Sequence, residues 1–157
     1  MPRLYLLTVG TPSERAIAKA VGEYVHRLQP PFWELTWTVV GEVGYRRGQQ
    51  EMARRQEGER ILAKIPPRAF AVLLDVLGQE WTTEELLVEV GRWRGFGRPL
   101  VFVVGGSLGV DDAVKQRADV SWSLSRLTLP HALAQLLVAE QLYRIAMIEA
   151  HHPYHKA

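Results

Sequence analysis

The chain has 157 residues, 47% of them apolar and 23% charged, a balance that suits one globular domain over residues 1–157 and excludes a disordered or fibrous chain. It contains no cysteine, so disulfides, thiolate zinc sites and a Cys nucleophile are out, and a reducing, cytoplasmic setting is expected. The net charge of +2 conceals an asymmetry, eleven Lys/Arg against seven Asp/Glu in residues 1–70 and eight against ten in residues 71–157, while no uncharged stretch approaches the roughly 20 apolar residues of a membrane span.

Residues 4–9 form a short apolar run suited to a strand buried on both faces; with only Arg3 ahead of it, the run is too brief for a secretion signal. Thr11-Pro12-Ser13-Glu14 then reads as a cap, a first-turn proline and a capping-box glutamate. The helix they open carries Ile17, Val21, Tyr24, Val25 and Leu28 at steps of three and four, and Pro30-Pro31 closes the segment. Residues 32–40 alternate as a half-buried strand does, with Trp33, Leu35, Trp37 and Val39 on one side and Glu34, Thr36 and Thr38 on the other. A glycine-spaced loop at 41–48 holds Arg46 and Arg47, and a charge-rich helix at 49–65, with Arg54 and Arg55, stops before Pro66-Pro67. Residues 70–74 read as a strand ending at Asp75, and Thr82 and Glu85 as the capping box of a helix with Leu86, Val90 and Trp93 on one face. Residues 100–104 form a strand running into Gly105-Gly106-Ser107-Leu108-Gly109. A short helix at 111–117, a short strand at 120–124 and a long helix at 130–150 lead to the tail, 151–157. This alternation predicts an α/β layer structure, a mainly parallel sheet of about five strands with helices on both faces.

Ligands of such sheets gather outside the carboxyl ends of the strands, which selects the loops at 74–78, 105–109 and 124–130. The glycine loop admits close approach of a ligand, but its G-G-x-x-G spacing is neither the dinucleotide fingerprint nor a P-loop. On its residues alone it reads equally as a ligand loop or a tight turn. Asp75 reads as a turn former before a base. Arg46, Arg47, Arg54 and Arg55, opposed locally only by Glu51, can gather phosphates; a solvated face is the plainer reading. There is no Ser-centred nucleophile elbow and no paired-histidine zinc motif. His151-x-x-x-His155 and His152-x-x-His155 have ligand spacing, but Pro153 interrupts both and no metal is expected. Glu140 and Arg144, four apart on the long helix, are a surface pair by default. They gain interest because, with His131, they interrupt a Leu-rich helix that delivers Tyr154-His155-Lys156.

Four stretches carry a resemblance: Gly-Gly-Ser-Leu-Gly at 105–109, Ser-Leu-Ser-Arg-Leu-Thr-Leu-Pro-His at 123–131, Leu-Val-Ala-Glu-Gln-Leu-Tyr-Arg at 137–144 and His-Pro-Tyr-His-Lys at 152–156. Together they resemble the ribosomal RNA large subunit methyltransferase H family of the SPOUT superfamily, and the likeness extends from the Val9-Gly10-Thr11 turn through Arg46-Arg47 to the last residues. The resemblance implies a carboxyl region, about 70–150, tied in a trefoil knot; periodicity shows none, and threaded connections are rare. It implies methyl transfer from S-adenosyl-L-methionine to N3 of a pseudouridine in 23S ribosomal RNA on the assembled ribosome, by a cytoplasmic homodimer without metal. It implies a cofactor cradle from Leu74, Gly105, Leu124, Ser125, Arg126, Leu127, Thr128 and Leu129. By their own chemistry, Glu140 and Arg144 are expected to wall the target base with Tyr154 and His155 closing over it from the tail and His131 in the same catalytic set, while Arg46, Arg47, Arg54, Arg55 and Lys156 are expected to contact RNA. Ser107, at a variable position of the glycine loop, Ala132 and Ala157 depart from the family's pattern without touching the core of its motifs. The alternatives are a SPOUT enzyme acting on another RNA, such as tRNA, and a non-catalytic ribosome- or RNA-binding module.

Two further expectations concern assembly and the tail. Leu133, Leu136, Leu137, Leu142, Ile145 and Ile148 put apolar residues on more than one side of the last helix, which predicts a homodimer built on it. Residues 151–157 are expected to serve catalysis while leaving the fold nearly untouched on removal.

Overall fold

The computed structural model describes residues 3–156; Ala157 lies outside them. Five strands, β1 (Leu4–Val9), β2 (Leu35–Val40), β3 (Phe70–Gln79), β4 (Leu100–Val104) and β5 (Val120–Trp122), form one sheet in the order β2-β1-β4-β3-β5, every neighbouring pair parallel. Five helices connect or follow them: α1 (Arg15–Arg27), α2 (Gln50–Lys64), α3 (Thr83–Arg94), α4 (Asp112–Arg117) and α5 (His131–Glu149).

A parallel sheet needs helices on both faces, and the strand alternation assigns them. Leu4 and Leu6 of β1, Leu100, Phe102 and Val104 of β4 and Val72 of β3 face a core completed by Val21 of α1, Leu86, Val90 and Trp93 of α3, and Val138, Leu142 and Ile145 of α5. The intervening residues Leu7, Val9, Val101, Val103 and Leu73 face the opposite way, onto Ile61 of α2 and Val114 of α4. The chain therefore stacks α1, α5 and α3 on one face and α2 with α4 on the other.

Several sequence expectations are displaced, each for a local reason. Thr11 does not cap the first helix, which starts at Arg15 with Glu14 at its N-cap and no side-chain cap bond. The Thr82–Glu85 capping box forms in both directions. Trp33 is buried ahead of β2, while Val39 stays 43% exposed, since β2 is an edge strand. Strand β3 runs on through Asp75 to Gln79, with a register irregularity between Leu74 and Gln79 against β5. Asp75 Oδ1 accepts from Leu77 N at 3.0 Å, so the turn-forming bond exists inside a strand that continues. The continuation requires Gly78, where a Cβ would fall 2.6 Å from the Ser121 carbonyl carbon.

At the amino ends of the strands, charged side chains close the sheet. Arg98 Nε donates to Arg68 O at 2.7 Å, Arg117 Nη2 donates to Ala69 O at 2.7 Å, and Asp119 Oδ2 accepts from Ala71 N at 2.8 Å.

Candidate functional site

The carboxyl ends of β3, β4 and β5 frame a cavity of about 480 Å³, within the roughly 300–1,000 Å³ of small-molecule sites. All three segments picked from sequence line it, the first of them as strand β3 rather than loop, through Leu74, Gly105, Leu124, Ser125, Leu127 and Leu129 among others. Its surface is apolar side chain and glycine-rich backbone, with Asp75, Lys115 and His131 as its charged or titratable members. Arg126 and Thr128, expected in the cradle, do not line it. The loop at 123–127 is shaped by its own serines: Ser123 Oγ donates to Ser125 O at 2.9 Å, and Ser125 Oγ accepts from Leu127 N at 3.0 Å. A Cβ at Gly105 would sit 2.7 Å from Val110 Cγ1, so that glycine is demanded by its own loop before any ligand arrives.

The remaining expected catalytic residues meet elsewhere. Arg144 Nε donates to Glu140 Oε1 at 2.8 Å and its Nη2 lies 2.6 Å from the same oxygen. Tyr154 Oη donates to Glu140 Oε1 at 3.2 Å and also meets Tyr24 Oη at 3.2 Å. The Tyr154 ring stands edge-on to Tyr143, centroids 4.7 Å apart, beneath the Arg144 guanidinium at 4.9 Å. Burial, reinforced by Tyr24 and Glu140, pushes the Tyr154 phenol well above its ordinary value, so it keeps its proton near neutral pH. Glu140 likewise holds Arg144 above its ordinary value, against the opposing effect of burial. Arg144 Nη1 lies 3.1 Å from His155 Nδ1. Because guanidinium only donates, Nδ1 accepts and Nε2 carries the ring proton toward Glu84 Oε1, 3.4 Å away.

One helix sets the distance between these two centres. His131 at the start of α5 lines the cavity, but Glu140 and Arg144 lie nine and thirteen residues further on, about 13 and 20 Å along the axis. Within one chain the cradle and the tail cluster are separate. Helix α5 offers a partner less apolar surface than its sequence suggests: Leu142 and Ile145 are fully buried in the chain's own core, and of its six leucines and isoleucines named above Leu133 and Leu137 alone are exposed, each 39%.

Arg46, Arg47 and Arg55 are exposed, whereas Arg54 is half-buried and donates from Nε to Leu108 O at 2.9 Å, holding the glycine loop. Among the described residues none of the four has a carboxylate within salt-bridge distance. Lys156 is exposed beyond the tail cluster. Sequence reasoning missed Glu57, 4% exposed on α2, because it stands among charges that read as solvated. The usable signal was its spacing: Ala53, Glu57 and Ile61 recur every four residues and all are buried.

Residues 3–155 match the model of the family described as "Predicted SPOUT methyltransferase". The chain is 42% identical over 155 residues to a ribosomal RNA large subunit methyltransferase H of Stenotrophomonas maltophilia, covering 97% of each chain. A protein of the same name from Pseudomonas fluorescens is 43% identical over 157 residues, with 98% of this chain and 99% of the relative covered. One from Xanthomonas axonopodis is 42% identical over 155 residues, 97% of each chain.

Proposed function

The chain belongs to the SPOUT methyltransferase family, and from that premise we propose that it transfers a methyl group from S-adenosyl-L-methionine to N3 of a pseudouridine in 23S ribosomal RNA of the assembled ribosome. The observation that carries this reading is the cavity at the carboxyl ends of β3, β4 and β5, built from the loops the family resemblance assigns to the cofactor. Its size suits a nucleoside with a short amino-acid arm. Leu74, Leu124, Leu127 and Leu129 offer apolar walls to an adenine, and the backbone at 105–109 and 124–125 offers polar groups to its edges and to the ribose. The bound donor supplies a sulfonium-activated methyl group; no covalent nucleophile or metal is then required of the protein. What remains for the chain is alignment and acceptance of the N3 proton.

Glu140, Arg144, Tyr154 and His155 are the groups for that work. Tyr154, protonated, orients as a donor; Glu140 and His155 are the possible proton acceptors, both presently engaged by Arg144. The span of α5 separates them from the cradle of their own chain, which supports a homodimer in which one copy's tail cluster completes the other's cavity. Leu133 and Leu137, exposed near the cavity end of the helix, belong to that interface. Arg46, Arg47, Arg55 and Lys156 supply phosphate contacts. The knot expected of the family belongs to this reading, supported by a chain that leaves edge strand β5 and returns with α5 over β4 to lie against α1. With no cysteine pairs to oxidise, the cytoplasm is the setting proposed; among the described residues no helix is long and apolar enough to cross a membrane.

The test is incorporation of labelled methyl from S-adenosylmethionine into ribosomes lacking the modification. Transfer to N3 of a 23S pseudouridine is expected; transfer only to tRNA, or cofactor binding with no transfer to any RNA, overturns the reading.

A further inference from the structure

Past His152 the chain is held by side chains. Among the described residues, the last backbone–backbone hydrogen bond of the tail runs from His152 N to Met147 O at 2.8 Å, just after His151 turns through a positive φ of 55°. Beyond it, Tyr154 N donates to His152 Nδ1, a bond within the tail itself. The places of Tyr154 and His155 are therefore set by what their rings and polar atoms touch.

Three of the contacts to Tyr154 come from α5: Glu140 at its hydroxyl, Tyr143 edge-on to its ring and the Arg144 guanidinium over its face. Contacts from one helix grip the ring from one side. The fourth comes from another element, since Tyr24 of α1 meets the Tyr154 hydroxyl at 3.2 Å. Periodicity counts Tyr24 with the apolar residues of α1, but its half-buried ring carries the one hydroxyl of that helix aimed at the tail. It is firmly seated: Val21, one turn earlier, and Leu28, at the C-cap, are fully buried. The Tyr24 ring lies 5.5 Å from that of Tyr143, and the Arg27 guanidinium covers both at 5.5 and 5.7 Å.

The direction of the Tyr24–Tyr154 bond follows from counting protons. Glu140 is a carboxylate and only accepts: Oε1 takes Arg144 and Tyr154, and Oε2 takes Gln141 Nε2 at 2.8 Å. Tyr154 has one hydroxyl proton, and Glu140 holds it. Tyr24 is then the donor and the Tyr154 oxygen the acceptor, so the chain runs one way, from Tyr24 through Tyr154 to Glu140. With its acceptor side filled, Tyr154 offers a partner its proton and nothing else. The N3–H of a pseudouridine is flanked by two carbonyl oxygens, which only accept, so a phenol working beside it has to donate.

We propose that Tyr24 is a positioning residue for methyl transfer: it holds the tail through the Tyr154 hydroxyl and sets Tyr154 as a donor to a carbonyl beside N3. The inference rests on the methyl-transfer reading above for the identity of the base. Tyr24 acts through Tyr154 alone. When the base arrives, the Tyr154 proton turns from Glu140 to the carbonyl while Tyr24 keeps the oxygen in place.

Tyr24→Phe tests this, because it removes one hydroxyl and keeps the ring that packs on Tyr143 under Arg27. Methyl transfer to ribosomes lacking the modification gives kcat and KM, titration calorimetry gives the affinity for S-adenosylmethionine, and amide relaxation of ¹⁵N-labelled protein gives the mobility of Tyr154 and His155. In Tyr24→Phe, kcat should fall at least about fivefold, the scale of one hydrogen bond between neutral groups, with KM and cofactor affinity kept and the amides of Tyr154 and His155 more mobile. In a Tyr154→Phe background the same substitution should change neither kcat nor mobility further, since its route of action is already gone. Unchanged kcat or unchanged tail mobility in Tyr24→Phe overturns the proposal, and so does an equal loss of kcat in the Tyr154→Phe background. A wild type that transfers no methyl refutes the methyl-transfer reading instead, and the relaxation measurement then decides by itself whether Tyr24 holds the tail.

Discussion

Removing residues 152–157 separates what the tail does for the fold from what it does for catalysis. The deletion takes away the edge-on contact of Tyr154 with Tyr143, the Arg144 guanidinium over the Tyr154 ring, and the hydrogen bond from Tyr154 to Glu140. An aromatic pair is worth about 0.5–1.5 kcal/mol, a partly exposed cation–π contact about 0.5–1 kcal/mol, and a hydrogen bond about 1 kcal/mol. Tyr154 is only half-buried, so the low ends apply and the loss is about 2 kcal/mol. For a chain of this length that lowers the melting temperature by about 4–8 °C. A fold left nearly untouched by removal of the tail thus still loses measurable stability, since the Tyr154 ring meets Tyr143 of α5 and its hydroxyl meets Tyr24 of α1. Scanning calorimetry gives the stability, titration calorimetry the cofactor affinity, and labelled-methyl incorporation the rate. The truncated protein should melt earlier, bind S-adenosylmethionine normally, and methylate at least about a hundredfold more slowly. An unchanged melting temperature would refute the packing argument, and an unchanged rate would refute the catalytic assignment of Tyr154 and His155.

Further expectations follow from individual contacts. The raised Tyr154 phenol means that folding favours the protonated form, a contribution intact below about pH 10 and lost as pH rises beyond it; wild type should therefore lose stability above pH 10 more steeply than Tyr154→Phe in pH-dependent denaturant melts. Gly78→Ala should disrupt the β3–β5 pairing and weaken cofactor binding, whereas Gly91→Ala, with open space around its Cβ in α3, should stabilise by about 1 kcal/mol; equal melting shifts in the two variants would contradict this. Arg46→Ala with Arg47→Ala should reduce the salt dependence of ribosome binding by roughly one to two phosphate contacts, with cofactor affinity unchanged. Arg54→Ala, by contrast, should weaken cofactor affinity through the released glycine loop, measurable by titration calorimetry.

Periodicity made the layers legible: the buried runs of β1 and β4 and the three-four spacing of α1 and α3 each found the face they occupy. The segments that line the larger cavity were legible too, since those following strands in an α/β alternation gather at the carboxyl edge of the sheet. Strand ends were less so. Nothing local in 75–79 marks a strand with Val76 52% and Leu77 90% exposed, because pairing with β5 decides it. The separation of His131 from Glu140 and Arg144 is a matter of helix length that a list of motif residues conceals. Glu57 was hidden for a different reason. Charge among charges suggests solvent, and only a helical-face count against Ala53 and Ile61 shows that it points inward.

The arginine and aspartate contacts at the amino ends of the strands divide the molecule's motions. Arg98, Arg117 and Asp119 fix backbone groups of residues 68, 69 and 71 there, and Phe70 and Leu100 amides are bonded across to Pro99 and Arg3 carbonyls. At the opposite edge the bonds lie mostly within the loops, two serine bonds inside 123–127 and a Gly109 N to Gly106 O bond inside the glycine loop, with Arg54 bonded to Leu108 O, and Leu127 is 72% exposed. Amide hydrogen exchange should accordingly run as a gradient along β3 and β4, slowest at the start of each and fastest past its end. Bonds that stay within a loop can be lost with that loop alone, so opening at the carboxyl edge would leave the amino-edge clamps, and the sheet they close, in place.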